Sequence, residues 1–118
     1  MSKEPRTMLN ELMQGFETVG KVDSRRMQAF MGFMQIAEKS GALDTKTKHL
    51  ISLAISLYTH CEYCIVYHTN EALKAGATRE ELTETAFVAG LMGGGPAMAY
   101  SSTLLQDAIK TFAPDYGK

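Results

Sequence analysis

Apolar residues recur along this chain at helical spacing, and no stretch alternates polar with apolar in twos. Leu9, Leu12, Met13 and Phe16 stand at i, i+3, i+4 and i+7, one face of a helix that Gly20 can end. Asp23 or Ser24 can cap a second helix, with the stripe Met27, Phe30, Met31, Met34 and Ala37 and a stop at Gly41. Asp44 opens a third, to about Thr59. There Leu50, Leu53, Ala54 and Leu57 form one stripe, while Ile51, Ile55 and Tyr58 cover much of the rest, as in an interior or interface helix. A fourth helix begins around Cys61 and ends at Lys74–Gly76. Thr78 with Glu81 reads as a capping box for a fifth, through Phe87, Val88 and Leu91. Gly93, Gly94 and Gly95 should break that helix, and Pro96 suits the first turn of a sixth running to about Phe112. The expected fold is an all-α bundle of about six helices in a single domain over residues 1–118, with no repeats and no linker.

Composition narrows the classes. Of the 118 residues 45% are apolar and 21% charged, which suits a packed globular chain rather than a disordered one. A net charge of −1 and a pI near 6.3 offer no attraction for nucleic acid or an anionic membrane. No run approaches the ~18 apolar residues of a membrane span, and the start MSKEPRTMLNEL has no signal-peptide core, so a cytoplasmic protein is expected. In that reducing compartment two cysteines separated by two residues point to redox or metal chemistry rather than a structural staple.

Cys61, Cys64 and His68 are spaced i, i+3, i+7 and would share one side of a helix. A pair three apart brings its Cα atoms within the ~4.4–6.8 Å a disulfide tolerates. A helix N-terminus favours the thiolate, which argues for Cys61 as the reactive thiol. A histidine one turn on can take a thiol proton, which argues for Cys64. The residues alone leave both open. Zinc is the competing use, with Cys61, Cys64, His68 and either His60 or His49, but the second ligand pair that usually accompanies a Cys-x-x-Cys knuckle is missing. Covalent haem attachment needs histidine directly after the second cysteine, where Ile65 stands.

The run Cys61-Glu62-Tyr63-Cys64-Ile65-Val66-Tyr67-His68, followed by the turn Ala75 to Thr78 and an acidic helix start, resembles the carboxymuconolactone decarboxylase-like superfamily, in its AhpD-like alkylhydroperoxidase branch. The resemblance spans about residues 43–110. It implies an all-α fold, a homo-oligomer (commonly a trimer or hexamer), Cys64 as the peroxide-reducing thiol, Cys61 as its resolving partner and His68 in a proton relay. It implies a peroxide or disulfide substrate, an external thiol reductant, and neither metal nor cofactor. The characterised peroxidases carry a glutamate twelve residues before the first cysteine, where this chain has His49, and often a histidine where it has Tyr63. A general thiol–disulfide oxidoreductase, a carboxymuconolactone decarboxylase-type lyase and a zinc-stabilised structural oligomer are the alternatives; decarboxylase members typically lack the cysteine pair.

His49, Ser52, Ser56 and His60 form a narrow polar strip on the otherwise apolar third helix. The strip is expected to face the cysteine helix, with His49 replacing the glutamate; otherwise it faces water or a neighbouring subunit. Tyr63 and Tyr67 should flank the site, Glu62 should be a solvated charge, and the methionine stripe should pack a core or an interface. The glycine run lacks the lysine and hydroxyl of a phosphate loop and reads as a place of close backbone approach. The apolar stretch from Ala86 to Leu105 is more than one short chain easily hides, which again expects an oligomer.

Overall fold

The computed structural model describes residues 3–118. Its helices are α1 (Pro5–Val22), α2 (Ser24–Glu38), α3 (Thr45–Thr59), α4 (Glu62–Lys74), α5 (Arg79–Ser102) and α6 (Leu104–Phe112), followed by a 3-10 turn at Ala113–Tyr116. The fold is all-α, and no strand occurs among the described residues.

The caps form where the polar residues place them. The Asp23 carboxylate accepts from the Arg26 amide at 3.1 Å, and that of Asp44 from the Thr47 amide at 2.7 Å. At α5, Thr78 Oγ1 accepts from the Glu81 amide while Glu81 Oε1 accepts from the Thr78 amide, closing the capping box.

Three boundaries differ from the pattern. α1 runs through Gly20 to Val22, and it is Asp23, turning out to cap α2, that ends it. α2 stops at Glu38 rather than Gly41, because the Thr45 hydroxyl donates to the Glu38 carbonyl at 2.9 Å and satisfies the helix end early. The glycine run breaks the helix where expected: Gly94 leaves helical torsions (φ 64, ψ −146), so α5 is two helical segments joined across a kink, and Pro96 stands in the first turn of the second. A second break, which the pattern does not show, falls at Thr103 (φ −115, ψ −86), so α6 begins at Leu104. Gly93 does provide close approach, since a Cβ there would lie 3.2 Å from the Tyr58 ring.

The core lies between α3, α4, α5 and α6, where Leu53, Leu57, Ile65, Leu73, Leu82, Leu105 and Phe112 are all fully buried. α1 and α2 form a hairpin beside it. α1 buries only Pro5 and Met8, held by Arg6, whose guanidinium donates to Asp115 at 2.9 Å and lies over the Phe112 ring. α2 has no buried residue. Its methionine stripe is therefore half-buried against α1 and the cavity described below, not core. Ile51, Ile55, Phe87, Val88, Leu91 and Met92 stay exposed on α3 and α5, an apolar face of the kind subunits bury. Among the described residues no helix is long and apolar enough to cross a membrane.

Candidate functional site: a dithiol beside a histidine pair

Helix α3 ends at His60, a non-glycine residue in the left-handed region (φ 60, ψ 36), and the Cys61 amide donates back to the Ser56 carbonyl at 3.0 Å. That closure turns the chain so that Cys61 is the N-cap residue of α4. Cys61 thus stands just outside the helix, and Cys64, at the third helical position, is the cysteine in the first turn. The free amides of the first turn point out toward the N-cap as well, so the helix end by itself does not choose between the two cysteines. The two sulfurs are joined in a disulfide with Cα atoms 5.2 Å apart.

Cys64 and His68 open into one cavity of about 360 Å³ between α1, α2, α3 and α4, which Cys61 does not line. Its walls are largely aromatic, with Phe16, Phe30, Phe33, Tyr63 and Tyr67, and its charged residues are Glu38 and Lys48. Lys48 is engaged, its ammonium donating to the Lys39 carbonyl at 2.6 Å. The Tyr63 hydroxyl donates to Glu11 at 3.0 Å and ties α1 to the start of α4. Glu62 is exposed, as a solvated charge should be.

Behind His68 lies His49, only 2% exposed. The two Nδ1 atoms are 3.0 Å apart. The ring centroids are 5.3 Å apart, which is the nitrogen separation plus one ring radius at each end, so the nitrogens meet head-on. Burial, and then the neighbouring His49, pull the His68 pKa from 6.5 down to about 4, so the ring is neutral near pH 7. Glu38, the last residue of α2, accepts from the Tyr67 hydroxyl at 3.2 Å and sits 4.0 Å from His49 Nε2. Burial first, and Glu38 second, push the Tyr67 phenol well above its usual range.

The structure brings Cys61, Cys64, His68 and His49 together. Of the polar strip, Ser52 also lines the cavity, while Ser56 is buried and donates to the Ser52 carbonyl. His60 lies past the helix end, exposed and stacked on Tyr100 with centroids 5.4 Å apart, so it is not a ligand partner for the cysteines. Glu38, His49 and His68 do place one ligand atom each within 4.8 Å of one another, a donor set that suits several transition metals. The imidazoles, however, direct their Nδ1 atoms at each other rather than at a common point, a hydrogen bond rather than a coordination geometry. Glu38 and the phenylalanines of α1 and α2 are the site residues that motif and spacing miss. One signal was available: Glu38 is an acid at the C-terminal end of a helix, where the dipole disfavours it.

The site is thus a Cys-x-x-Cys disulfide at a helix start, backed by a histidine pair, in an all-helical bundle. Residues 26–107 match the Carboxymuconolactone decarboxylase family, and the chain belongs to it. An uncharacterised protein of Cupriavidus necator is 36% identical over 105 residues, 89% of this chain and 93% of its own. The crystal structure of an apo carboxymuconolactone decarboxylase family protein from Legionella pneumophila superposes with a TM-score of 0.86 at 36% identity, covering 92% of this chain and 96% of that one. A family member from Thermotoga maritima shares the fold, with a TM-score of 0.75 at 24% identity over 93% of this chain and 96% of its own.

Proposed function

We propose that the chain is a dithiol peroxidase of the alkylhydroperoxidase type, acting on organic hydroperoxides with an apolar substituent. The supporting observation is the shared cavity: Cys64 and His68 face the same aromatic-walled space, and Cys61 is within disulfide reach behind it. In the reduced protein the Cys64 thiol passes its proton to His68. The thiolate attacks the hydroperoxide; the S–O bond forms, the O–O bond breaks, and the alkoxide leaves with that proton as the alcohol. The Cys61 thiol then attacks the sulfur of the resulting sulfenic acid, forming the disulfide and releasing water. An external dithiol returns two electrons and two protons by exchange. His49 stands at the position that a glutamate holds in the characterised peroxidases and serves as the hydrogen-bond partner of His68, steadying the imidazolium that forms when His68 takes the thiol proton.

The test is reaction of the fully reduced protein with one equivalent of cumene hydroperoxide. Both thiols should disappear, the mass should fall by two hydrogens, and one cumyl alcohol should form. Cys61→Ser should stop at a sulfenic acid that dimedone traps on Cys64, and Cys64→Ser should not react. Thiols that survive the hydroperoxide but are oxidised by a small disulfide would replace this proposal with general thiol–disulfide exchange.

A further inference from the structure

Two imidazole nitrogens in head-on contact share one proton, so His49 and His68 cannot choose their tautomers independently. If His49 carries its proton on Nε2, its Nδ1 accepts from His68 Nδ1–H, and His68 Nε2 keeps a free lone pair. If His49 carries its proton on Nδ1, the contact reverses, His68 is protonated on Nε2, and that ring has no lone pair left for a thiol proton. One tautomer pair is competent as a base and the other is not.

Glu38 is the group that separates them. Its carboxylate lies 4.0 Å from His49 Nε2, beyond hydrogen-bond length but within ion-pair range, so it favours a proton on that nitrogen. Among the described residues no lysine or arginine forms an ion pair with Glu38, whose partners are the Tyr67 hydroxyl and His49. Asp44 and Glu71 line a second cavity of about 580 Å³ that His49 also reaches, yet neither forms an ion pair with its ring. Glu38 is half-buried at the end of α2 that the helix dipole makes unfavourable for an acid, with no basic residue in the last turn to offset it. A carboxylate held in that place needs a reason beyond the stability of its own helix.

We infer that Glu38 is a positioning residue: through His49 it sets the tautomers of both histidines and leaves His68 Nε2 free to take the proton of Cys64. This rests on the proposed use of His68 as the thiol's base. The proton leaves sulfur for Nε2, His68 becomes an imidazolium still donating from Nδ1 to His49, and the alkoxide later takes the same proton back. Carboxylates that orient a metal-bound imidazole typically account for about 10- to 100-fold in affinity or activity, and Glu38 has the same orienting task at a metal-free imidazole. Loss of the Glu38 charge is expected to slow Cys64 by a factor in that range.

Nitrogen-15 NMR of the reduced protein decides the point, because protonated and bare imidazole nitrogens have distinct shifts. The wild type should show His49 protonated on Nε2 and His68 on Nδ1. Glu38→Gln should mix or reverse these forms and slow alkylation of Cys64 by iodoacetamide, and Glu38→Asp, which keeps the charge, should retain more of both than Glu38→Gln. A wild type with the opposite tautomers overturns the inference, whether or not the variants fold; so does a Glu38→Gln variant that leaves tautomers and alkylation unchanged. If reduced wild type ignores cumene hydroperoxide while the tautomers respond to Glu38 as stated, the peroxidase proposal fails and the assignment of Glu38 stands.

Discussion

Along α3, α4 and α6, residues such as Leu53, Ile65 and Phe112 have no exposed surface, whereas α2 has no buried residue and Phe33 on it is 66% exposed. The first region is a close-packed core. The second is a hairpin with α1, held by the Arg6 contacts, the Tyr63–Glu11 bond and partial apolar contact. The cavity lies on the seam between them, with Cys64, His68 and His49 on the core side and most of the phenylalanines, with Glu38, on the hairpin side. The cysteine and the histidines thereby stand on the close-packed side, while the exposed helix contributes the aromatic wall and Glu38. Core packing transmits small displacements, while a half-exposed helix absorbs them.

The largest expected effect is on the core. Phe112→Ala should cost about 3–5 kcal/mol in urea unfolding, from lost burial plus the cavity left behind. Next comes acid. His68 in the oxidised protein titrates near 4 when folded and near 6.5 when unfolded, so its contribution is complete above pH 6.5 and is lost as pH falls through 4. That contribution is at most about 3 kcal/mol, and His68→Gln should remove the corresponding slope from a plot of stability against pH over that window. The smallest stability effect belongs to the hairpin: Phe33→Ala should cost less than about 1 kcal/mol, yet change the rate with cumene hydroperoxide more than the rate with hydrogen peroxide. Equal losses for Phe33→Ala and Phe112→Ala would erase the distinction between the two regions.

Short-range signals were legible. Asp44 and the Thr78–Glu81 box act within one helical turn and cap where the spacing puts them, and Cys64 and His68 share one side of α4, though Cys61 falls at its N-cap. The face of His49 was legible because a polar strip on an apolar helix has to meet something. Whether Cys61 or Cys64 lay inside the helix was not, since a one-residue shift of a cap inverts the answer, and it depended on His60 accepting left-handed torsions. Glu38 was barely legible as a site residue: its partners lie on two other helices, and the one local sign is an acid at the unfavourable end of α2. The break at the glycine run was legible, whereas the second break at Thr103 has no such local signal; of the three glycines only one departs from helical torsions.

That one, Gly94, has a consequence for handedness. Reversing the signs of its torsions, φ 64 and ψ −146, gives the ordinary extended conformation of an L-residue, close to polyproline II at about −75° and +145°. The backbone there is a mirror-image residue, and glycine serves as the only achiral choice. An L-side chain would meet no atom within 4 Å, so what L-alanine suffers is torsional, about 1–3 kcal/mol. In a chain assembled by chemical ligation, D-alanine at the same position should instead raise Tm. It has the torsions already, and it removes freedom from the unfolded chain that glycine leaves in.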